Sequence, residues 1–226
     1  LVTLFLTYKG PILAVLGIIL SVWLISGSIA DFLERIKLFK VSFNDSFKRI
    51  INYPRSAIGG TIAHAGVGIL IFGITISSAF ELEKIQSVKT GDRVQVGNYI
   101  FEFKGTEISR GPNYDAIRGN FDVYKGNDLI IKMQPENRSF INPEMVTTEA
   151  AIYPRNLGDL YAVLGEKNPN NTFSTRLYYK PMINCLWLGC LLMALGGFIS
   201  LSDRKYRIGA PKKRFIEKNR TLGLYN

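Results

Sequence analysis

Histidine and cysteine are nearly absent from this sequence, and charge is absent from three long stretches of it. The 226 residues contain one histidine, His64, and two cysteines, Cys185 and Cys190. None of the three falls between residues 81 and 180. That segment therefore offers neither a zinc site of the usual Cys/His kind nor a Cys- or Ser–His nucleophile system. Its carboxylates, among them Asp115, Glu144, Glu149 and Asp159, form no pair that spacing alone can identify, and they read as mostly solvated. Cys185 and Cys190 match neither a CxxC redox motif nor metal-ligand spacing, and read as small hydrophobes of an apolar helix. No catalytic residue is assigned.

Residues 10–30, 56–80 and 181–202, of 21, 25 and 22 residues, contain no Asp, Glu, Lys or Arg. A helix needs about 20 apolar residues to cross the hydrocarbon, and one central charge costs roughly 2.5–3.5 kcal/mol. The expected fold class is an α-helical membrane protein with three transmembrane helices and an inserted extracytoplasmic small β-barrel or β-sandwich. The stretch 10–30 is too long for a cleavable signal peptide and no small-residue cleavage site follows it. With Leu1 in first position, the chain is expected to be the tail of a longer protein or one piece of a split one.

The net charge of +10 is unevenly spread. The loop 31–55 carries Arg35, Lys37, Lys40, Lys48, Arg49 and Arg55 against Asp31, Glu34 and Asp45. The tail 203–226 is also strongly basic, whereas 81–180 is balanced. Three crossings put loop and tail on one side, and the positive-inside rule makes that side cytoplasmic. The end 1–9 and the segment 81–180 are then external. A nucleic-acid partner would need a folded basic face with base-contacting or stacking groups; none is evident, and anionic lipid headgroups account for the same residues.

Between 81 and 180 the pattern turns to short alternating strings. Arg93-Val94-Gln95-Val96, the turn Gly97-Asn98 and Tyr99-Ile100-Phe101-Glu102-Phe103 make a hairpin. Residues 120–124 and 129–133 repeat it across Lys125-Gly126-Asn127-Asp128, and 147–152, 161–164 and 173–179 are further strands. The polar stretch 167–171 reads as an exposed loop.

His64 lies inside the second apolar stretch, where an ionisable residue is a functional candidate by default. Gly60 and Gly68 stand four residues to either side and share its helix face. A glycine above and below an imidazole leaves a shallow groove. It suits a neighbouring helix packed on small residues or a planar macrocycle whose iron takes the imidazole nitrogen.

The string Gly59-Gly60-Thr61-Ile62-Ala63-His64-Ala65-Gly66-Val67-Gly68 resembles the late histidine-bearing helix of the CcmF family, the haem lyase subunits of cytochrome c maturation. Gly91-Asp92, Val96-Gly97-Asn98-Tyr99, Gly111-Pro112-Asn113-Tyr114, Pro135-Glu136 and Thr148-Glu149-Ala150-Ala151-Ile152 are similar to that family's periplasmic segment. Trp187-Leu188-Gly189, Leu195-Gly196-Gly197 and Ser202-Asp203-Arg204-Lys205 resemble its final span. The resemblance implies a role in joining haem to the CxxCH thiols of apocytochrome c. The implied partners are the haem carrier CcmE, CcmH with CcmI in some systems, and the upstream portion of CcmF. It implies that His64 is one axial ligand of a membrane haem b, and its iron ligand in this chain, with the second from outside it. Gly60 and Gly68 then form the groove for the macrocycle. The implied location is the cell inner membrane, with the β domain in the periplasm, or the mitochondrial inner membrane for an organellar protein. The tryptophan-rich segment that receives substrate haem in the family has no match here, so the chain is not expected to act alone. Two other readings stay open: a membrane-anchored adaptor without haem, and a haem transporter subunit.

Overall fold

The computed structural model describes residues 12–38 and 40–203; the expected external end 1–9 and the basic tail beyond Asp203 lie outside the described residues. Three helices are long and apolar enough to cross a membrane: α1 (Ile12–Ile36), α3 (Arg55–Ala79) and α4 (Ile183–Leu201). Between the first two lies a short α2 (Phe43–Ile51). Ten strands follow α3: β1 (Leu82–Val88), β2 (Arg93–Val96), β3 (Tyr99–Arg110), β4 (Tyr114–Lys125), β5 (Asp128–Met133), β6 (Glu136–Ile141), β7 (Glu144–Glu149), β8 (Ala151–Tyr153), β9 (Gly158–Lys167) and β10 (Phe173–Pro181). The described chain divides into two compact units. One holds the start of α1 and Phe72–Leu186; the other holds Gly17–Ile71 and α4 from Trp187.

Helix α1 runs past the expected end at residue 30 and takes in Asp31, Glu34 and Arg35. Asp31 and Arg35 are one turn apart and pair at 2.6 Å, an arrangement that supports a helix end. The helix stops at Lys37, whose positive φ of 54° breaks the helical path. The expected loop 31–55 also contains α2. Ser42 caps it, its hydroxyl accepting from the Asp45 amide. Phe43, Phe47 and Ile51 form one exposed apolar stripe, with Lys48 and Arg49 in the last turn.

The ten strands make a β-sandwich. One sheet has the order β1-β10-β9-β8, the other β2-β3-β4-β6-β7 with β5 also paired to β4, and all pairings are antiparallel. Alternation along β4 and β9 points Phe121, Val123, Leu160, Ala162 and Leu164 inward. There they meet Phe101, Phe103 and Leu177, all nearly fully buried. Phe103 and Phe121 pack with ring centres 5.0 Å apart. The hairpin turn at Gly97 has φ of 59°, which glycine adopts without strain. The strand expected over 147–152 is in fact two: β7 ends at Glu149 in one sheet and β8 begins at Ala151 in the other. The chain changes sheets at Ala150.

Beyond the core, Glu136 accepts from Arg118 at 2.7 Å and from Arg138 at 2.8 Å. The Arg138 guanidinium, followed by that of Arg118, holds the Glu136 carboxyl below the usual carboxylate range. Asp159 departs from the solvated reading. It is buried, and Oδ1 accepts from the Arg155 backbone amide at 3.1 Å, so the β8–β9 turn satisfies it internally.

Candidate functional site

Helix α3 presents three faces, each spent differently. Gly59 and Gly66 lie against α4. A methyl at Gly66 would stand 2.9 Å from both Gly189 O and Met193 N. From the other side, one at Gly196 would stand 2.5 Å from Gly59 O. Glycines seven residues apart on both helices thus let the two backbones nearly touch, the usual means of helix association without a hydrophobic driving force. Gly68 faces α1, where a methyl would stand 2.7 Å from Ile25 Cγ1 and 3.1 Å from Ser21 O.

Gly60 is different: a methyl there would meet nothing within 4 Å. With Ala57, Thr61 and His64 it lines a cavity of about 430 Å³, closed on the α1 side by residues including Trp23, Gly27, Ser28, Asp31 and Arg35. The sequence puts Gly60, His64 and Gly68 on one face, but the structure brings only the first two together. Each step of four residues advances about 40° round a helix of 3.6 residues per turn. Two steps carry Gly68 out of the cavity and under α1.

His64 is exposed. Its Nδ1 lies 2.7 Å from Gly60 O. A carbonyl oxygen can only accept, so this bond puts a proton on Nδ1, and in the neutral ring the lone pair is then on Nε2. A neutral imidazole oriented through its other nitrogen by a carbonyl is the usual state of a metal-binding histidine. The site also includes a charged pair from the stretch expected as the cytoplasmic basic loop 31–55. Arg35 Nε donates to Asp31 Oδ1 at 2.6 Å. Thr61 Oγ1 lies 3.0 Å from Ala57 O and 3.3 Å from Asp31 Oδ2. The start of α3 is fixed as well, since the Ser56 amide donates to Asp203 Oδ2 at 2.9 Å. That supplies an acceptor to an otherwise unsatisfied helix N-terminus. The two cysteines stand apart from this cavity and are free, Cys185 half-buried and Cys190 exposed.

The sandwich has a cavity of its own, about 630 Å³, bordered by Tyr99, Arg155 and Tyr179 among others. Arg155 Nη1 donates to Tyr99 Oη at 3.3 Å, and the Asn184 side-chain amide donates to Arg155 O. Burial raises the Tyr179 hydroxyl above its ordinary pKa.

Residues 79–181 match the family described as the CcmF C-terminal beta-sandwich. The chain is 40% identical over 204 residues to the cytochrome c-type biogenesis protein CycK of Rhizobium meliloti, a match covering 90% of this chain and 30% of that protein. It is 35% identical over 210 residues to the cytochrome c-type biogenesis protein CcmF of Haemophilus influenzae, covering 93% of this chain and 32% of the relative. The chain therefore spans about a third of the length of these relatives. A solved structure titled cytochrome c heme lyase CcmF superposes with a TM-score of 0.58 over 66% of this chain and 25% of that one. At 19% identity, that likeness speaks to the fold alone.

Proposed function

This chain belongs to the CcmF family of cytochrome c-type biogenesis proteins and carries its C-terminal β-sandwich, and from that premise we propose that it is part of a cytochrome c haem lyase. In this reading His64 would hold a membrane haem b through its iron. The observation that carries it is the imidazole itself: Nδ1–H is held by Gly60 O at 2.7 Å, and Nε2 is free to bind iron beside a cavity that Gly60 leaves open. A cavity walled in part by Trp23, Leu24 and Ala57, with one oriented imidazole, fits a haem by the chemistry of its donors.

When bound, the haem supplies one-electron chemistry. The rest of the work falls to the chain's own residues. Gly60 orients the ring through its carbonyl and, lacking a side chain, leaves room for a flat ligand. The α3–α4 glycine seam holds the helix that carries His64. With only one histidine in the chain, a bis-histidine pair needs its second imidazole from a helix of the upstream portion of the protein.

The basic segments face the cytoplasm under the positive-inside rule, with the sandwich in the periplasm and the helices in the inner membrane, or in the mitochondrial inner membrane for an organellar protein. The sandwich is then a docking platform for apocytochrome c, the haem carrier CcmE, and CcmH with or without CcmI. Helix α2, with Phe43, Phe47 and Ile51 on one side and Lys48 and Arg49 nearby, suits the headgroup boundary of anionic lipid. Ligation itself belongs to the assembled lyase.

The test is the visible spectrum of the purified lyase containing this chain. A low-spin b-type signal in the wild type that disappears in His64→Ala, at equal protein level, is the expected result. A signal unchanged in His64→Ala would leave the adaptor reading in its place.

A further inference from the structure

The cavity beside His64 contains more chemistry than an axial ligand uses. Its wall also carries one carboxylate and one guanidinium, Asp31 and Arg35. Both lie on α1, near the end of a helix otherwise free of charge from Ile12 to Ala30. The pair is about half exposed, with side-chain exposures of 51% for Arg35 and 44% for Asp31. Ion pairs so exposed contribute little to stability, so fold stabilisation is a weak reason for placing two charges on this wall.

Geometry supplies a better one. Arg35 engages Asp31 through Nε at 2.6 Å. Among the described residues no acceptor is assigned to its two Nη groups, so the outer fork of the guanidinium is available. Asp31 is steadied from the other helix by Thr61, which ties the pair to the helix that bears His64. The ring of Tyr53 lies 5.9 Å from the guanidinium carbon, and its buried hydroxyl has no partner among the described residues.

Direction matters too. Gly68 meets Ser21 and Ile25, whereas Thr61 meets Asp31, so α1 and α3 run antiparallel. Moving from His64 toward Ala57 on one helix therefore means moving toward Arg35 on the other. The cavity thus has an imidazole at one level and a guanidinium nearer one end, with Gly60 and Gly27 leaving space between them. That arrangement matches a flat apolar ligand held at its centre by nitrogen and carrying carboxylates on one edge.

Resting on the haem reading above, we propose that Arg35, positioned by Asp31 and Thr61, binds a propionate carboxylate of the haem that His64 ligates. A planar fork of N–H donors suits a carboxylate, and arginine is the usual choice for such contacts. Asp31 aligns the fork through Nε and leaves its outer donors for the ligand.

The experiment uses the purified lyase containing this chain, stripped of haem and titrated with either haem or haem dimethyl ester, whose propionates carry no charge. The wild type should prefer haem over the ester by about 10–100-fold, the range expected of one hydrogen bond to a charged group. Arg35→Gln should lose that preference while retaining the low-spin spectrum set by His64, and Arg35→Lys should keep part of it. Binding of the ester, equal in wild type and Arg35→Gln, shows that the variant is folded. The same preference in both proteins would overturn the role of Arg35 while leaving haem ligation standing. Failure of the wild type to bind either ligand in a His64-dependent way would overturn the haem reading, and this inference with it.

Discussion

The close approach of α3 to α4 can be tested with a single methyl group. In Gly196→Ala the new Cβ would stand 2.5 Å from Gly59 O, 2.7 Å from Ala63 N and 3.0 Å from Ala63 Cβ. Non-bonded heavy atoms are comfortable at about 3.5–4.0 Å, so the helices must part by roughly 1 Å at this level. A gap of that size forfeits a quarter to a half of each displaced contact, and overpacking of this kind costs about 1–3 kcal/mol. Nothing in lipid offsets the loss, because helices there gain little from hydrophobic association. Gly197→Ala is the internal control, since a methyl at that neighbouring position meets nothing within 4 Å. Thermal unfolding of the purified membrane protein, followed by circular dichroism, should give a clearly lower midpoint for Gly196→Ala than for Gly197→Ala. At about 2–4 °C per kcal/mol for a chain of this size, the difference is several degrees. Because Ala63 adjoins His64, the same variant should also weaken any haem signal. Equal midpoints for the two alanine variants would refute the packing argument.

Two further outcomes are expected. Gly60→Leu should lower haem occupancy, read from the visible spectrum, with protein level and unfolding midpoint unchanged. Gly68→Leu should lower the midpoint as well, because that residue lies against Ser21 and Ile25. In the sandwich, the folded Glu136 carboxyl titrates below its ordinary value of 4.5 because Arg138 and Arg118 favour its charged form. Its contribution is therefore fully present above about pH 4.5 and is lost as the pH falls through the lowered value. Glu136→Gln should cost about 1.5–3 kcal/mol near neutral pH and converge on the wild type in acid, as denaturant unfolding at several pH values would report.

Much of this architecture is legible in the residues. The three uncharged stretches become three long helices because nothing in them interrupts an apolar surface, and the Gly97-Asn98 and Gly126-Asn127 turns lie between strands. Strand β1 was harder to see. Six of its seven residues are exposed, so alternation gives little signal, and it is a strand because β10 pairs with it along its length. Strand β6 starts at Glu136, which is held by Arg138 of its own strand and by Arg118 of β4, eighteen residues away. Helix α2 is short, and its local signs, the Ser42 cap and the Phe43, Phe47 and Ile51 spacing, span little more than two turns.

The site divides along the same line. His64 stands out as the single ionisable residue of an apolar run, and Gly60 follows from its spacing. Arg35 and Asp31 do not, because their place in the cavity depends on how α1 packs beside α3, across an interval of some thirty residues. Read along the chain, they belong to a basic loop. Gly68 shows the converse, since helical periodicity drifts and α1 packs against the face it reaches.

Strands β1 and β10 are the first and last of the sandwich, and they lie side by side, with Leu82 opposite Tyr179. The polypeptide thus leaves α3 and returns to α4 through adjacent strands, which in a sheet are about 4.8 Å apart. Topologically the hundred residues between them form a cassette with its two ends at one point. Such a module can be exchanged for a related one, or replaced by a tight turn, while the flanking helices keep their spacing. Divergence in the sandwich need not disturb the imidazole of His64, which lies on a different compact unit.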